Sequence, residues 1–382
     1  MAQPKDFGFG EDEKMVRDSA RKFIGEHGSI EKLRKLVGGD PDPEKSPESL
    51  YDAPAWEQIV ELGWTALAIP EEAGGVGMNM ATVAALAEVV GGHAFPSPLI
   101  ASLLTTLVVR EASGENRNEL LGEIAEGKRV ALAVTGNEGA WDIDSATIEV
   151  AASGGSVVLS GFSRYVQDGG KAELFLVAGR SAAGLGLYAV PADAKGLKVT
   201  LDQIVDRTRD QATLELDGVE LPASAVIAAP ADGTQVLEKA LPALLTVVAA
   251  DMVGASEWQL QTTTEYAKTR EQFNHPLGFF QAVKHPIVNM MLEIDKAKSL
   301  VYAAASAIDN KPENAERFAR MAKAQASDTA AFCSDRSVQL HGGIGFTWEC
   351  DVHFFFKRNK HNQFLFGDGA YQRSKLMKIL AG

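Results

Sequence analysis

Apolar residues recur at every third or fourth position through residues 11–128, the spacing that predicts amphipathic helices. Val16, Ala20, Phe23 and Ile24 form one such stripe. Each apolar stripe needs a partner surface to cover it, so several of these helices are expected to pack together. This part of the chain is therefore predicted to be an all-α domain.

The ends of these helices carry residues that are typical of helix termini. A helix is predicted to begin at Asp52, since Asp is a favoured N-cap and Pro54 suits the first turn. Gly63 and Gly127 lie where a helix end favours a left-handed residue. Between them, residues 69–77 are rich in Gly and Pro and predict a loop that folds back.

From about residue 130 the pattern changes to short β-branched runs. Residues 146–151 and 156–160 are joined through Ser153-Gly-Gly155 and predict a β-hairpin. Four further runs follow at residues 174–177, 187–190, 197–200 and 212–216. No long helical pattern interrupts them, so a small all-β domain, a barrel or a sandwich, is predicted here.

The helical period returns after residue 233 and persists to the C-terminus. It predicts long helices over residues 234–272, 281–309 and 312–341, which would pack as a four-helix bundle. The predicted fold class is therefore α+β and multidomain. Its parts are an N-terminal all-α domain over residues 1–128, a central β-domain over 129–230 and a C-terminal helical bundle over 231–382.

Charge and cysteine content narrow the classes of function. The 382 residues include 37 Lys and Arg against 51 Asp and Glu, a formal net charge of −14. With no basic block, nucleic acid is an unexpected partner. Two cysteines are too few for a disulfide framework and lack zinc-site spacing, so no metal is expected. No signal peptide or membrane span is evident, and a reducing cytoplasm is the expected location.

Two motifs in the C-terminal helices carry the most specific chemistry. Residues 266–281 contain an Arg-x-x-Phe stretch followed by Phe-Gln, and residues 339–346 read Gln-Leu-His-Gly-Gly-Ile-Gly-Phe. Together they resemble the acyl-CoA dehydrogenase family, and the order of helical, β and helical domains matches along nearly the whole chain. The resemblance implies FAD as cofactor, an acyl-CoA substrate and an electron-transfer flavoprotein as electron acceptor.

The resemblance implies cofactor-binding roles for several residues of these motifs. In the family, the position of Arg270 reaches the FAD pyrophosphate of the neighbouring subunit, and a planar guanidinium suits a diphosphate. The alternative for Arg270 is a solvated ion pair with Glu265 or Glu271. Asn274 replaces a usual Gly and can keep a left-handed turn. The other implied cofactor contacts are Phe273, Gln281, Gln339, Gly342 and Gly343, the two glycines having a plain helix C-cap as their alternative.

The flavin-binding segments of the central domain depart from the family pattern. Residues 134–142 keep Thr135 of the loop that cradles the isoalloxazine, and they lack its Pro and Gly-Ser pair. Residues 161–169 place Tyr165 where an aromatic residue stacks beside the flavin and Gln167 where a hydroxyl usually donates to N5. The resemblance implies that Thr135 and Gln167 contact the cofactor.

The catalytic base is the critical assignment, because desaturation of a thioester needs a carboxylate to remove the α-proton. Alignment from the C-terminal side places Asp368 at the family's Glu, whereas counting from Arg358 places Gly367 there. The family's other base position, on the long helix, reads Leu244-Leu245 here. Asp368-Gly369 could instead form a tight turn. Gln372, shortly after Asp368, is included among the implied cofactor contacts.

Three functions are consistent with this pattern. The first is an FAD-dependent acyl-CoA dehydrogenase with Asp368 as base. The second is a non-catalytic or partly catalytic subunit that completes a partner's FAD site, as in the heterotetramers of steroid-degrading family members; assembly is thus homo-oligomeric or heterotetrameric. The third is a flavoenzyme similar to the nitroalkane oxidases, which use an Asp base.

Overall fold

The computed structural model describes residues 10–38, 48–114 and 116–381. The helices are α1 (Glu11–His27), α2 (Ile30–Val37), α3 (Ala53–Glu61), α4 (Met80–Gly92), α5 (Leu99–Val109), α6 (Arg117–Ala125), α7 (Gly233–Thr269), α8 (Gln281–Asn310), α9 (Pro312–His341), α10 (Val352–Phe364) and α11 (Gly369–Ala381). The strands are β1 (Val130–Ala133), β2 (Ile148–Ser153), β3 (Ser156–Gln167), β4 (Leu174–Ser181), β5 (Gly184–Pro191), β6 (Leu197–Leu201), β7 (Gln211–Pro222), β8 (Val226–Ala228), β9 (Glu271–Gln272) and β10 (His275–Pro276).

The N-terminal helices form where the apolar stripes predict them. Ala20 and Ile24 of α1 are completely buried. Asp52 caps α3, since its side chain accepts a hydrogen bond from the backbone N–H of Ala55. Gly63 and Gly127 both have positive φ, as a helix end requires. The helical N-terminal region is thereby confirmed.

The central region is a mixed eight-stranded sheet with the strand order β6-β7-β3-β2-β4-β5-β8, and β1 pairs with β4. The predicted hairpin is confirmed as β2 and β3, with Ser153 opposite Ser156. Both β1 and β2 run parallel to β4, and the remaining pairs are antiparallel. Phe175, Tyr188 and Leu214 belong to its buried core.

The sheet does not confirm a barrel. Among the described strands no ladder joins the outer strands β6 and β8. These two strands have only five and three residues, which limits the unpaired edge that the open sheet presents. The all-β character of the region is confirmed, since the segment between β1 and β8 holds strands and two short 3-10 turns in the described residues.

The C-terminal region consists of five helices, α7 to α11, with α9 packed against α8, α10 and α11. Trp258 of α7 stacks on Phe355 of α10, with ring centroids 3.7 Å apart. The predicted helix over residues 234–272 ends earlier, at Thr269, because residues 271–276 turn back as the β9–β10 hairpin. None of the described helices is both long and apolar enough to cross a membrane.

The chain divides into two compact units. The first comprises Met1–Pro41, Asn79–Phe95 and Leu245–Gly382, and the second comprises Asp42–Met78 and Pro96–Leu244. Helices α1, α2 and α4 thus belong with the C-terminal helices, whereas α3, α5 and α6 belong with the sheet. Within the first unit, α4 crosses α7 so closely that a Cβ atom on Gly254 would lie 1.9 Å from the backbone oxygen of Glu88.

Candidate functional site

The ends of α7 and α9 lie together in the first unit, which brings the two C-terminal motifs to one place. Thr263 of α7 donates its hydroxyl to Ser337 Oγ of α9 at 2.9 Å. One turn further along each helix, the ring of Tyr266 stacks on His341 with centroids 4.4 Å apart. Because the paired residue numbers rise together, α7 and α9 run parallel and end side by side.

A tight hairpin at the end of α7 presents an aromatic side chain to solvent. Phe273 and Asn274 link β9 to β10 with φ values of 54° and 61°. The left-handed conformation predicted for Asn274 is thus confirmed. Phe273 is 86% exposed, and its ring contacts the edge of Phe280 at a centroid distance of 6.2 Å. An exposed Phe in a left-handed turn is unfavourable for the isolated chain. This turn is therefore a candidate functional position.

Arg270 lies at the base of this hairpin. Its backbone oxygen accepts a hydrogen bond from Leu277, which closes the turn. Its side chain is exposed, and among the described residues no ion pair to it is found. Glu265, one of the partners considered for it, pairs instead with Lys268 at 2.6 Å. The guanidinium is therefore open to a group from outside the chain.

The Gly-rich end of α9 faces open space. Gly342 has a φ of 65° and donates its N–H to the backbone oxygen of Gln339, so it is the helix C-cap. A Cβ atom on Gly342 or Gly343 would meet nothing within 4 Å. The chain itself therefore leaves Gly343 room for a side chain. Gln339 is exposed beside these glycines, and Gln281 is exposed at the start of α8.

The two predicted flavin contacts of the second unit are bonded within the chain. Thr135 is buried, and its hydroxyl donates to the backbone oxygen of Arg164 and accepts from the backbone N–H of the same residue. Gln167 is also buried, and its amide donates to the backbone oxygen of Asp210 at 3.3 Å. Their hydrogen-bonding groups are thus engaged with backbone atoms of this unit.

The loop predicted to cradle the flavin borders a cavity of about 550 Å³ in the second unit. Asn137, Glu138 and Ala140 of the loop line it. Tyr165 lies over Gly139, where a Cβ atom would come within 2.2 Å of the tyrosine ring. Gly139 therefore has to be glycine for this loop to lie against the aromatic ring.

Asp368 is the N-cap of α11. Its Oδ1 accepts a hydrogen bond of 2.9 Å from the backbone N–H of Tyr371, and its side chain is partly exposed. Gly367, the alternative at the base position, has a φ of 89° and no side chain to offer. The carboxylate of Asp368 is therefore fixed at the N-terminus of a helix by its Oδ1.

Gln372 is placed differently from the expectation that it contacts a cofactor. It is 0% exposed. Its Nε2 donates to the backbone oxygen of Phe366 at 2.6 Å, and its Oε1 accepts from Arg320 at 2.9 Å. The amide thus faces the loop that leads to Asp368, because α11 folds back onto α9 and buries this side of its first turn. Such contacts fit a residue that positions the loop.

Leu244 and Leu245 occupy the other base position of the family, and both are buried. That position therefore carries no ionisable side chain. Among the described residues there is also no group of His, Cys, Asp and Glu side chains able to hold a metal ion. Asp368 carries the one carboxylate among the residues considered for the base, which are Leu244, Leu245, Gly367 and Asp368.

Sequence reasoning missed Lys323, which lies on α9 and is 0% exposed. Its Nζ donates to the backbone oxygen of Gly367 at 2.9 Å, next to Asp368. A signal was available, because Lys323 interrupts a run of buried alanines at helical spacing, including Ala319 and Ala326. A charged residue on the inner stripe of a helix is rare unless it has partners.

Comparisons with known proteins agree with this geometry. The model described as acyl-CoA dehydrogenase, N-terminal domain, matches residues 10–128, and the one for the C-terminal domain matches residues 231–381. Acyl-CoA dehydrogenase IpdE2 of Mycobacterium tuberculosis is 30% identical over 351 residues, which cover 91% of each chain.

Two solved structures show the same fold. A variant of the Tcur3481-Tcur3483 steroid ACAD is 28% identical with a TM-score of 0.86, covering 98% of this chain and 99% of the other. The ChsE4-ChsE5 complex from Mycobacterium tuberculosis is 22% identical with a TM-score of 0.85, with the same coverage, and at that identity the likeness concerns the fold alone.

Proposed function

Because this chain belongs to the acyl-CoA dehydrogenase family of oxidoreductases, we propose that it is an FAD-dependent enzyme that introduces an α,β double bond into an acyl-CoA thioester. One observation carries the proposal. Where α7 and α9 end together, Arg270, Phe273 and Gly343 are all exposed, and the chain's own packing explains none of the three. They are a cation, an aromatic face and an open backbone, the groups that bind a dinucleotide.

The roles of these residues follow from their chemistry. The guanidinium of Arg270 can form paired hydrogen bonds with a diphosphate. Phe273 offers an aromatic face, and Gln281 and Gln339 offer amides that can donate and accept. Gly343 allows close approach of the ligand to the backbone. We assign this end of the bundle to the pyrophosphate and adenosine of FAD held by a neighbouring subunit.

The isoalloxazine is assigned to the second unit, beside Thr135 and Gln167. Because both side chains are bonded to backbone atoms of this unit, a direct contact with the ring requires them to exchange one of these hydrogen bonds for one to the flavin. When bound, FAD accepts the β-hydrogen of the thioester as a hydride at N5. An electron-transfer flavoprotein is the proposed acceptor of the electrons.

Asp368 is the proposed base that removes the α-proton. The hydrogen bond from the backbone N–H of Tyr371 holds its carboxylate at the N-terminus of α11. An Asp is one methylene shorter than the family's Glu, about 1.5 Å of reach, so the α-carbon has to come closer to the backbone than in a Glu enzyme. The substrate would therefore be seated differently.

The test measures FAD in the purified protein and its bleaching by acyl-CoA. Anaerobic mixing with straight-chain, branched and ring-bearing thioesters should reduce the flavin. Asp368→Asn should slow that reduction at least about 100-fold, while Asp193→Asn, which changes an exposed carboxylate, should not. Arg270→Ala should lower FAD content, with the exposed Arg317→Ala as its control. If acyl-CoA reduces the flavin of the Asp368→Asn variant at the wild-type rate, Asp368 is excluded as the base.

A second candidate is a subunit that completes the FAD site of a related partner chain. The engagement of Thr135 and Gln167 with their own backbone, and the hydrocarbon at Leu244-Leu245, favour it. Purified alone, such a chain would be colourless and would gain flavin only with a second chain. Oxygen consumption with nitroalkanes, without bleaching by thioesters, would instead indicate an enzyme similar to the nitroalkane oxidases.

A further inference from the structure

Lys323 is a completely buried lysine that the proposed chemistry has not used. Its ammonium group has three N–H donors, and three acceptors surround it: the backbone oxygens of Gln363 at 3.0 Å and Gly367 at 2.9 Å, and Ser327 Oγ at 3.2 Å. Burying a charge is costly unless it is hydrogen-bonded in this way. Lys323 therefore ties the end of α10 to the loop that carries Asp368.

That loop has a backbone conformation that needs support. Phe366 and Gly367 are successive residues with φ values of 57° and 89°. A Phe in this region is strained, because its Cβ atom comes too close to the following carbonyl oxygen. The loop keeps this shape because Gln372 binds the Phe366 oxygen at 2.6 Å and Lys323 binds the Gly367 oxygen.

Helix α9 supplies one of these contacts directly and supports the other through Arg320. Arg320 holds Gln372 at 2.9 Å, and Lys323 lies one turn further along the same helix. The first residue of α11 is also pressed against α9, since a Cβ atom on Gly369 would lie 3.2 Å from the backbone oxygen of Ala324. Asp368 is thus bracketed on both sides by residues whose positions α9 determines.

We propose that Lys323 is a positioning residue for Asp368, because it fixes the backbone carbonyl beside the carboxylate. The inference rests on the proposed function, in which Asp368 is the base. It assigns to Lys323 no contact with substrate or cofactor.

The electrostatics around Lys323 are consistent with this role. Burial lowers the pKa of Lys323 to about 7, and the carboxylate of Asp368 opposes that decrease. Other charged residues nearby on α8, α9 and α11 are already paired with partners of opposite sign: Arg320 with Glu316, Arg373 with Asp328 and Lys296 with Glu293. Asp368 is the acid whose charge bears on Lys323.

The experiment compares Lys323→Met and Lys323→Gln with the wild-type holoenzyme. Both variants should bind FAD as the wild-type protein does, because Lys323 is not assigned a contact with the cofactor. Lys323→Met should lower kcat at least tenfold with little change in KM. Lys323→Gln keeps two donors and should lose less kcat, and it also serves if the Met variant does not fold. Lys378→Met, on the exposed end of α11, is the control.

Asp368→Asn, assayed alongside, separates two kinds of failure. If it is inactive while both Lys323 variants keep the wild-type kcat and KM, the positioning role is wrong and the proposed base stands. If Asp368→Asn is fully active, the base assignment fails and the positioning role fails with it.

Discussion

Replacement of Arg358 by Met should be among the most destabilising single changes in the C-terminal helices. Arg358 of α10 is 0% exposed, and Asp251 of α7 is buried opposite it. Two hydrogen bonds join them, from Nε to Oδ1 at 2.9 Å and from Nη2 to Oδ2 at 2.6 Å. Asn362 adds a third contact to Oδ1 at 2.7 Å. The variant leaves the carboxylate buried without its cation.

The expected cost follows from this burial. Removing one partner of a buried ion pair typically costs about 3–5 kcal/mol, since the remaining charge has lost its compensation. A domain has only about 5–15 kcal/mol of unfolding free energy in total, so the change should be plain in urea unfolding at pH 7. At pH 5 the difference in unfolding free energy between this variant and the wild type should be smaller, because a proton can neutralise the unpaired carboxylate.

Two further variants test the reasoning. Asp251→Leu combined with Arg358→Met leaves no unpaired charge and should recover at least half of the lost free energy. Arg34→Ala removes an exposed pair with Asp351 and should cost less than about 1 kcal/mol. A loss below about 1 kcal/mol for Arg358→Met would refute the account, because the pair would then behave like a surface ion pair.

Three other changes have outcomes fixed by local geometry. Gly254→Ala should lower the unfolding free energy by more than about 2 kcal/mol, because the added Cβ lies 1.9 Å from the Glu88 oxygen, whereas Gly343→Ala should leave thermal unfolding unchanged. Burial lowers the pKa of His353 to about 4, below its ordinary 6.5. As the pH falls, the unfolded chain therefore binds a proton at His353 before the folded chain does. The unfolding free energy should be constant above pH 6.5 and should fall by about 3 kcal/mol towards pH 4. Denaturation curves of His353→Leu should show a weaker dependence on pH. Asp368→Ala should lower stability by about 1 kcal/mol through loss of the helix cap, and Asp368→Asn, an equally good cap, should not.

Local signals predicted those parts of the fold that local physics determines. Two alternating runs about Ser153-Gly-Gly155 predicted the β2–β3 hairpin. The residue type of Asp52 predicted the helix cap, and the hydrogen bond that its side chain accepts from the N–H of Ala55 confirms it. Closure of the sheet could not be predicted in the same way. Whether β6 reaches β8 depends on pairings between residues far apart in sequence, and periodicity carries no information about them.

The same distinction between local signals and long-range packing applies to the candidate site. Asn274 was recognised because a left-handed turn restricts the residue type directly. The burial of Gln372 was missed, since it results from α11 folding back onto α9, where Arg320 meets its amide. Lys323 escaped notice for the same reason, although its place among buried alanines was visible in the sequence. Motif matching identifies which residues resemble a site, and packing decides which of them face it.

The length of α9 bears on how the proposed site would be shared between subunits. Lys323 holds the loop of Asp368, and Gln339 lies at the nucleotide end of the same unbroken helix. At 1.5 Å per residue, the rise between these two residues is about 24 Å. Under the proposed function, another copy or a related chain would supply the nucleotide end that serves this base. The proposed exchange of Arg270 between subunits would apply equally to a homo-oligomer and to a heterotetramer.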